Sequence, residues 1–231
     1  MKLEFPGAPA MMAILLAYTS GFVDTLSFIA LFGLFAAHVT GNFVLIATSL
    51  AEFREGLWMK VLALPVFIVA AVCTRFYIIR RERGGVDAMT PVLALQAVVL
   101  MVFMTIAVSN EPFKDHDSAI AIVTGLLAAA AMAVQNTAAR TFLSDLPPTT
   151  VMTGNMMQII VDIVDLMHGH GAVDAKRKRL ARLLPMLLAF IAGTLTGAVG
   201  YLAVGFISLL LPIAATAGVS ILVKSHPRVP A

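Results

Sequence analysis

The chain has 231 residues, 60% of them hydrophobic and only 13% charged, with a net charge of +3. A water-soluble domain of this size carries about 25% charged residues, so this composition excludes a soluble globule. The single Cys73 excludes an intramolecular disulfide and a cysteine metal cage, and basic residues beside apolar runs report topology rather than nucleic acid.

No Asp, Glu, Lys or Arg occurs in 5–23, 25–51, 88–110, 118–139 or 183–223. A crossing helix needs about 20 apolar residues, so these runs predict an all-α polytopic membrane bundle. A β-barrel would show alternating segments of about 10 residues instead. The first stretch, 9–34, follows Lys2, Glu4 and a proline without a cleavage pattern and reads as a retained span, not a signal peptide. Asp24 is its only acid. A carboxylate in a bilayer is costly unless paired or facing water, and such residues are often functional. Asp24 is therefore a candidate to bind a proton, a cation or a substrate amine; the plainer role is a polar tie to a neighbouring helix.

The next segment, 38–52, opens with His38 and then Thr40-Gly41-Asn42. The triplet suits a helix start, with Thr40 as N-cap, Gly41 allowing close approach and Asn42 offering a donor and an acceptor. His38 is a candidate proton relay or hydrogen-bond donor. Spans 58–79 and 88–109 follow, separated by the basic loop "RFYIIRRERGG" at 75–85. The loop at 109–118, "SNEPFKDHDS", is acidic on balance.

Segment 118–141 carries Gln135 and Asn136 near the place that Asp24 holds in the first stretch. Prolines 147 and 148 break the chain, and Arg140 is expected to pair with Asp145. The triplet then returns as Thr153-Gly154-Asn155, 113 positions after its first copy. Asp162 and Asp165 share a helical face, lining a vestibule or marking where that helix surfaces. His168 and His170 lack a third ligand, so no metal site is expected. The basic loop "DAKRKRLAR" at 174–182 precedes spans 182–201 and 203–223, and Gly193 and Gly197 have the spacing of close helix packing.

These segments form one transmembrane domain, 1–231, of two ordered halves, 9–109 and 118–223. Besides the triplets, Leu64-Pro65 corresponds to Leu184-Pro185, and Ser49 and Glu52 to Asp162 and Asp165. Short Lys/Arg-rich loops stay cytoplasmic. Eight full spans in two parallel halves would leave the basic residues from Lys176 to Arg182 outside. Making one segment of each half re-entrant removes the conflict. It gives about six net crossings, an inverted repeat and both termini cytoplasmic.

The stretches "GFVDTLSFIALFGLFAAHVTGNFVLIA" and "AVQNTAARTFLSDLPPTTVMTGNMMQ" resemble the YoaK-like family of bacterial membrane proteins, which is built around a domain of unknown function. The resemblance takes in Asp24, His38 and both triplets in order and covers most of the chain. It implies an integral inner-membrane protein of this size and supplies no substrate.

In inverted-repeat transporters, two broken helices meet near the midplane around the substrate. The expected function is a secondary transporter or permease for a small polar or anionic metabolite, not an enzyme. Its expected site is Asp24, His38, Thr40, Gly41, Asn42, Gln135, Asn136, Thr153, Gly154 and Asn155, with no cofactor. The alternatives are a channel, an intramembrane enzyme using Asp24 and His38, and a scaffold whose polar residues only pack helices. The expected partners are the lipid bilayer and a small-molecule or ion substrate, and a homodimer is compatible with so small a bundle.

Overall fold

A computed structural model describes residues 7–52 and 56–225. It is all-helical among the described residues: α1 (Ala8–Ala30), α2 (Val39–Glu52), α3 (Leu57–Arg83), α4 (Met89–Asn110), α5 (Ala119–Phe142), α6 (Met152–Met167), α7 (Val173–Val204), a 3₁₀ turn (Gly205–Leu209) and α8 (Leu210–Ser225). Helices α1, α3, α4 and α5 are each long and apolar enough to cross a bilayer, and Val173–Val223 forms a fifth such stretch. That fifth stretch reverses at Gly205. Phe206 packs with Phe103 at one end of the bundle, whereas Met186 and Val219 share a core cluster at the other. Helices α7 and α8 are therefore antiparallel, and six helical stretches run the length of the bundle, the last made of the 3₁₀ turn and the 16 residues of α8 together.

Two ends can be told apart by their contacts. At one, Phe32 stacks edge-on against His116 at 5.8 Å, Phe113 meets Phe206 at 5.9 Å, and the Phe206 N–H donates to Glu111 Oε2 over 3.3 Å. At the other, Met12, Ile78, Met89, Leu143 and Val223 pack together, and the basic end of α3 and basic start of α7 lie there. The two basic segments read as loops are largely helical: α3 continues to Arg83 and α7 begins at Val173. Lys and Arg are good helix formers with apolar stems that extend a span past the lipid.

Helix α1 is the axis of the bundle, and α7 crosses it at backbone contact. A Cβ on Gly193 would lie 2.1 Å from the Tyr18 carbonyl oxygen, and one on Gly197 would lie 2.7 Å from that of Phe22. Apolar side chains gain little by leaving lipid for protein, so close backbone packing of this kind supplies much of the cohesion. The Gly193–Gly197 spacing therefore has the packing role that its sequence suggests.

Helices α2 and α6 are the exceptions to the bundle. With 14 and 16 residues they measure about 21 and 24 Å, short of a hydrocarbon core of about 30 Å.

Candidate functional site

Each short helix follows a sharp return of the chain. After α1, Phe32 and Gly33 adopt φ of 51° and 78°, turning the backbone back along the helix it has just left. The Ser27 hydroxyl bonds to the Leu34 carbonyl at 3.1 Å and fixes the descent. The chain reaches Asp24, six residues before the end of α1. There the carboxylate accepts from the Ala37 N–H at 2.7 Å, from the His38 N–H at 3.4 Å, and contacts His38 Nδ1. Helix α2 then leads back to the end it came from, because Gly56 lies against Phe32, whose Cβ would be 2.8 Å from a Cβ there. The segment from 31 to the end of α2 thus leaves one end of the bundle and comes back to it.

The second return has the same plan from the other end. Asn136 sits six residues before the end of α5, and its Oδ1 accepts from the Thr150 hydroxyl at 2.6 Å. Asp24 and His38 are 14 residues apart, and so are Asn136 and Thr150. The triplet asparagines match as well. Asn42 donates to the Phe35 carbonyl at 2.7 Å and accepts from its N–H at 3.0 Å; Asn155 donates to the Pro148 carbonyl at 2.9 Å. Both reach back seven residues, and both are buried, at 1% and 4% exposure. Each asparagine pins the incoming loop to the first turn of its short helix.

The helix starts differ from the expected caps. Helix α6 begins at Met152 after Val151, which makes no side-chain cap bond, and α2 begins at Val39. Thr40 and Thr153 therefore occupy the second position of each helix. Both are exposed and line one cavity of about 720 Å³. The asparagines do the local work instead, and the threonines line the cavity.

That cavity draws on four elements: His38, Val39 and Thr40 from the first return, Arg75 from α3, Asn136 and Arg140 from α5, and Thr150 and Thr153 from the second return. A chamber of about 220 Å³ adjoins it through Asn136, Arg140 and Thr150, and Thr149 lines its wall. Of the residues expected at the site, the structure brings together His38, Thr40, Asn136 and Thr153. Asp24, 4% exposed, stands behind His38 and orients it. Asn42 and Asn155 hold the loops. Gly41 faces the Phe35 ring, 2.9 Å from a Cβ placed there, whereas Gly154 has open space. Gln135 ties three helices, donating to the Leu16 carbonyl at 2.9 Å and accepting from Gln96 Nε2 at 2.6 Å.

Sequence reading missed Arg75 and Arg140, which seemed to belong to a topology loop and to a local ion pair. Arg140 has no ion-pair partner among the described residues; Asp145 does not reach it. The available signal was their position, since each is the first charge after a long uncharged run.

Asp162 and Asp165 lie elsewhere. Arg179 Nε donates to Asp162 Oδ2 at 2.6 Å, its Nη2 contacts Oδ1, and Gln158 adds a bond at 2.9 Å. Lys176 bonds to Asp165 at 2.7 Å. These pairs fasten the end of α6 to the start of α7, and the guanidinium holds the Asp162 carboxyl below its ordinary range.

A family model described as "Protein of unknown function (DUF1275)" matches residues 12–222. The chain is 27% identical over 151 residues to the "UPF0700 transmembrane protein YoaK" of Bacillus subtilis (strain 168). That alignment covers 64% of this chain and 64% of the relative. No solved structure matches the chain.

Proposed function

The chain belongs to the DUF1275 family, and we propose that this multi-pass membrane protein is a secondary transporter or permease for a small polar or anionic metabolite. The observation that carries the reading is the convergence of the first turns of α2 and α6 on one cavity of about 720 Å³. The two re-entrant segments come from opposite ends of the bundle, with matched bonds at 14 and seven residues of separation. Paired half-helices of opposite orientation are the arrangement by which inverted-repeat transporters enclose a substrate and alternate access to it. In this reading 9–109 and 118–223 are the repeats, His38, Thr40, Asn136 and Thr153 touch the substrate, and the membrane is the bacterial cytoplasmic one. The basic end faces the cytoplasm together with both termini, following the positive-inside rule.

Uptake into proteoliposomes tests it, with labelled phosphate, succinate, alanine and glucose as the panel. One or more should enter in a saturable way, and Thr40→Val with Thr153→Val should reduce that entry about tenfold without lowering the melting temperature. No saturable uptake of any of the four, or uptake indifferent to both threonines, would remove the reading. Reporter fusions after Glu111 and after Gly171 should report opposite sides; the same side for both would overturn the inverted repeat.

A further inference from the structure

Resting on that reading of the cavity, we infer that its ligand carries an oxyanion, a carboxylate or phosphate group, which Arg75 and Arg140 bind from the neighbouring helices α3 and α5. Charge is the first argument. Two guanidinium groups and the His38 ring line the cavity, and among the described residues no Asp or Glu does. Asp24, the carboxylate bonded to His38, is buried with its oxygens turned to Ala37 and His38.

The arginines are also not committed elsewhere. Arg140 has no ion-pair partner among the described residues. The nearest carboxylate to Arg75 is that of Glu82, 3.8 Å away, with both side chains about half exposed at 48% and 47%. Such a contact is weak and screened by water. A guanidinium without a counter-charge is open to an anionic ligand, and its planar fork suits two parallel bonds to a carboxylate or phosphate.

The backbone adds to the same field. Helices α2 and α6 both direct their N-terminal ends at the cavity, and the first turn of α6 has no side-chain cap. Unpaired N–H groups and a positive dipole end favour an anion. An independent sign of a ligand lies in the adjoining chamber. The Thr149 hydroxyl is 2% exposed and has no hydrogen-bond partner among the described residues, yet Thr149 lines the space shared with Asn136, Arg140 and Thr150. Buried polar groups are rarely left without a bond, and a ligand anchored at Arg140 would supply one to Thr149.

Thermal unfolding of the purified full chain in detergent tests this with sodium phosphate and sodium succinate, against sodium chloride of equal ionic strength. Either oxyanion should raise the transition in a concentration-dependent way. Arg75→Gln and Arg140→Gln should weaken that dependence at least tenfold, and Thr149→Val several-fold. Arg80→Gln, at the basic end and away from the cavity, should leave it unchanged. Comparing variants removes the general stabilisation that phosphate gives any protein. Where Arg140→Gln fails to fold, Arg140→Lys keeps the charge and loses the fork, and should still weaken binding.

A second arm uses nanodiscs of phosphatidylglycerol against phosphatidylcholine. Stabilisation by the anionic lipid alone, lost in the arginine variants, would assign the same oxyanion site to a headgroup. If neither soluble anions nor anionic lipid separate the wild type from the arginine variants, the inference is overturned. Anion binding without uptake would retire the transporter and keep this site. Uptake of an uncharged solute, undiminished in Arg140→Gln, would do the reverse.

Discussion

Asp24 and His38 are joined side chain to side chain where the chain turns back beside α1, and Asn136 and Thr150 repeat the contact at the same 14-residue separation beside α5. One half of the molecule thus closes its return with a titratable pair and the other with a neutral one. The bond plan is symmetric, while the chemistry presented to the cavity is not.

The first prediction concerns Asp24. Its carboxylate satisfies the Ala37 N–H at 2.7 Å as well as His38. Asp24→Ala leaves that N–H buried and unpaired, which costs about 1–3 kcal/mol. Asp24→Asn keeps an acceptor for it and should lower the melting temperature less. Equal melting temperatures for the two variants would mean that the carboxylate does not hold the loop.

A similar argument separates the two triplet asparagines. Asn42 makes two bonds to Phe35, whereas Asn155 makes one backbone bond, to Pro148. At about 0.5–1.5 kcal/mol for each hydrogen bond, Asn42→Ala should destabilise more than Asn155→Ala. Limited proteolysis should show each variant opening at its own return, 31–38 or 143–151. A variant that loses ligand binding with unchanged stability and cleavage would instead place that asparagine in the site.

Packing of α1 against α7 gives a third test. A Cβ on Gly193 would sit 2.1 Å from the Tyr18 carbonyl oxygen, and nothing lies within 4 Å of one on Gly218. Gly193→Ala should cost at least the 1–3 kcal/mol typical of overpacking. Gly218→Ala should be neutral or stabilising by up to about 1 kcal/mol, from helix propensity. Thermal unfolding of the two variants side by side reads the difference.

The α6–α7 fastening should show in acid. Arg179 lowers the Asp162 pKa in the folded protein. A lowered folded pKa gives stability that is present above the unfolded value of about 4 and is lost as pH falls through the folded one. Melting temperature followed from pH 7 to pH 3 should therefore drop less steeply in Asp162→Asn than in the wild type. Added salt should shrink the contrast, because the Arg179 side chain is 47% exposed and its charge is screened. Identical acid limbs would mean that the pair contributes nothing to stability.

The sequence alone carries an all-helical membrane bundle, the two short triplet segments and a close-packed face at Gly193 and Gly197, but not the full length of α3 and α7, which continue through the basic segments read as loops. Lipid makes those features readable, because a span must be apolar for about 20 residues and touching backbones need small residues. It could not say which way a polar residue faces. In a span that is apolar all round, periodicity no longer marks an inner side, and adjacent Gln135 and Asn136 differ by about 100° around the helix. Tertiary structure sent Gln135 to the helix junction and Asn136 to the cavity. It turned the triplet asparagines from ligand groups into loop anchors, and it placed the threonines inside the helices instead of at their caps. It also set Arg75 and Arg140, 65 positions apart in sequence, on one cavity. That meeting depends on α3 packing against α5, a long-range contact that no local pattern encodes.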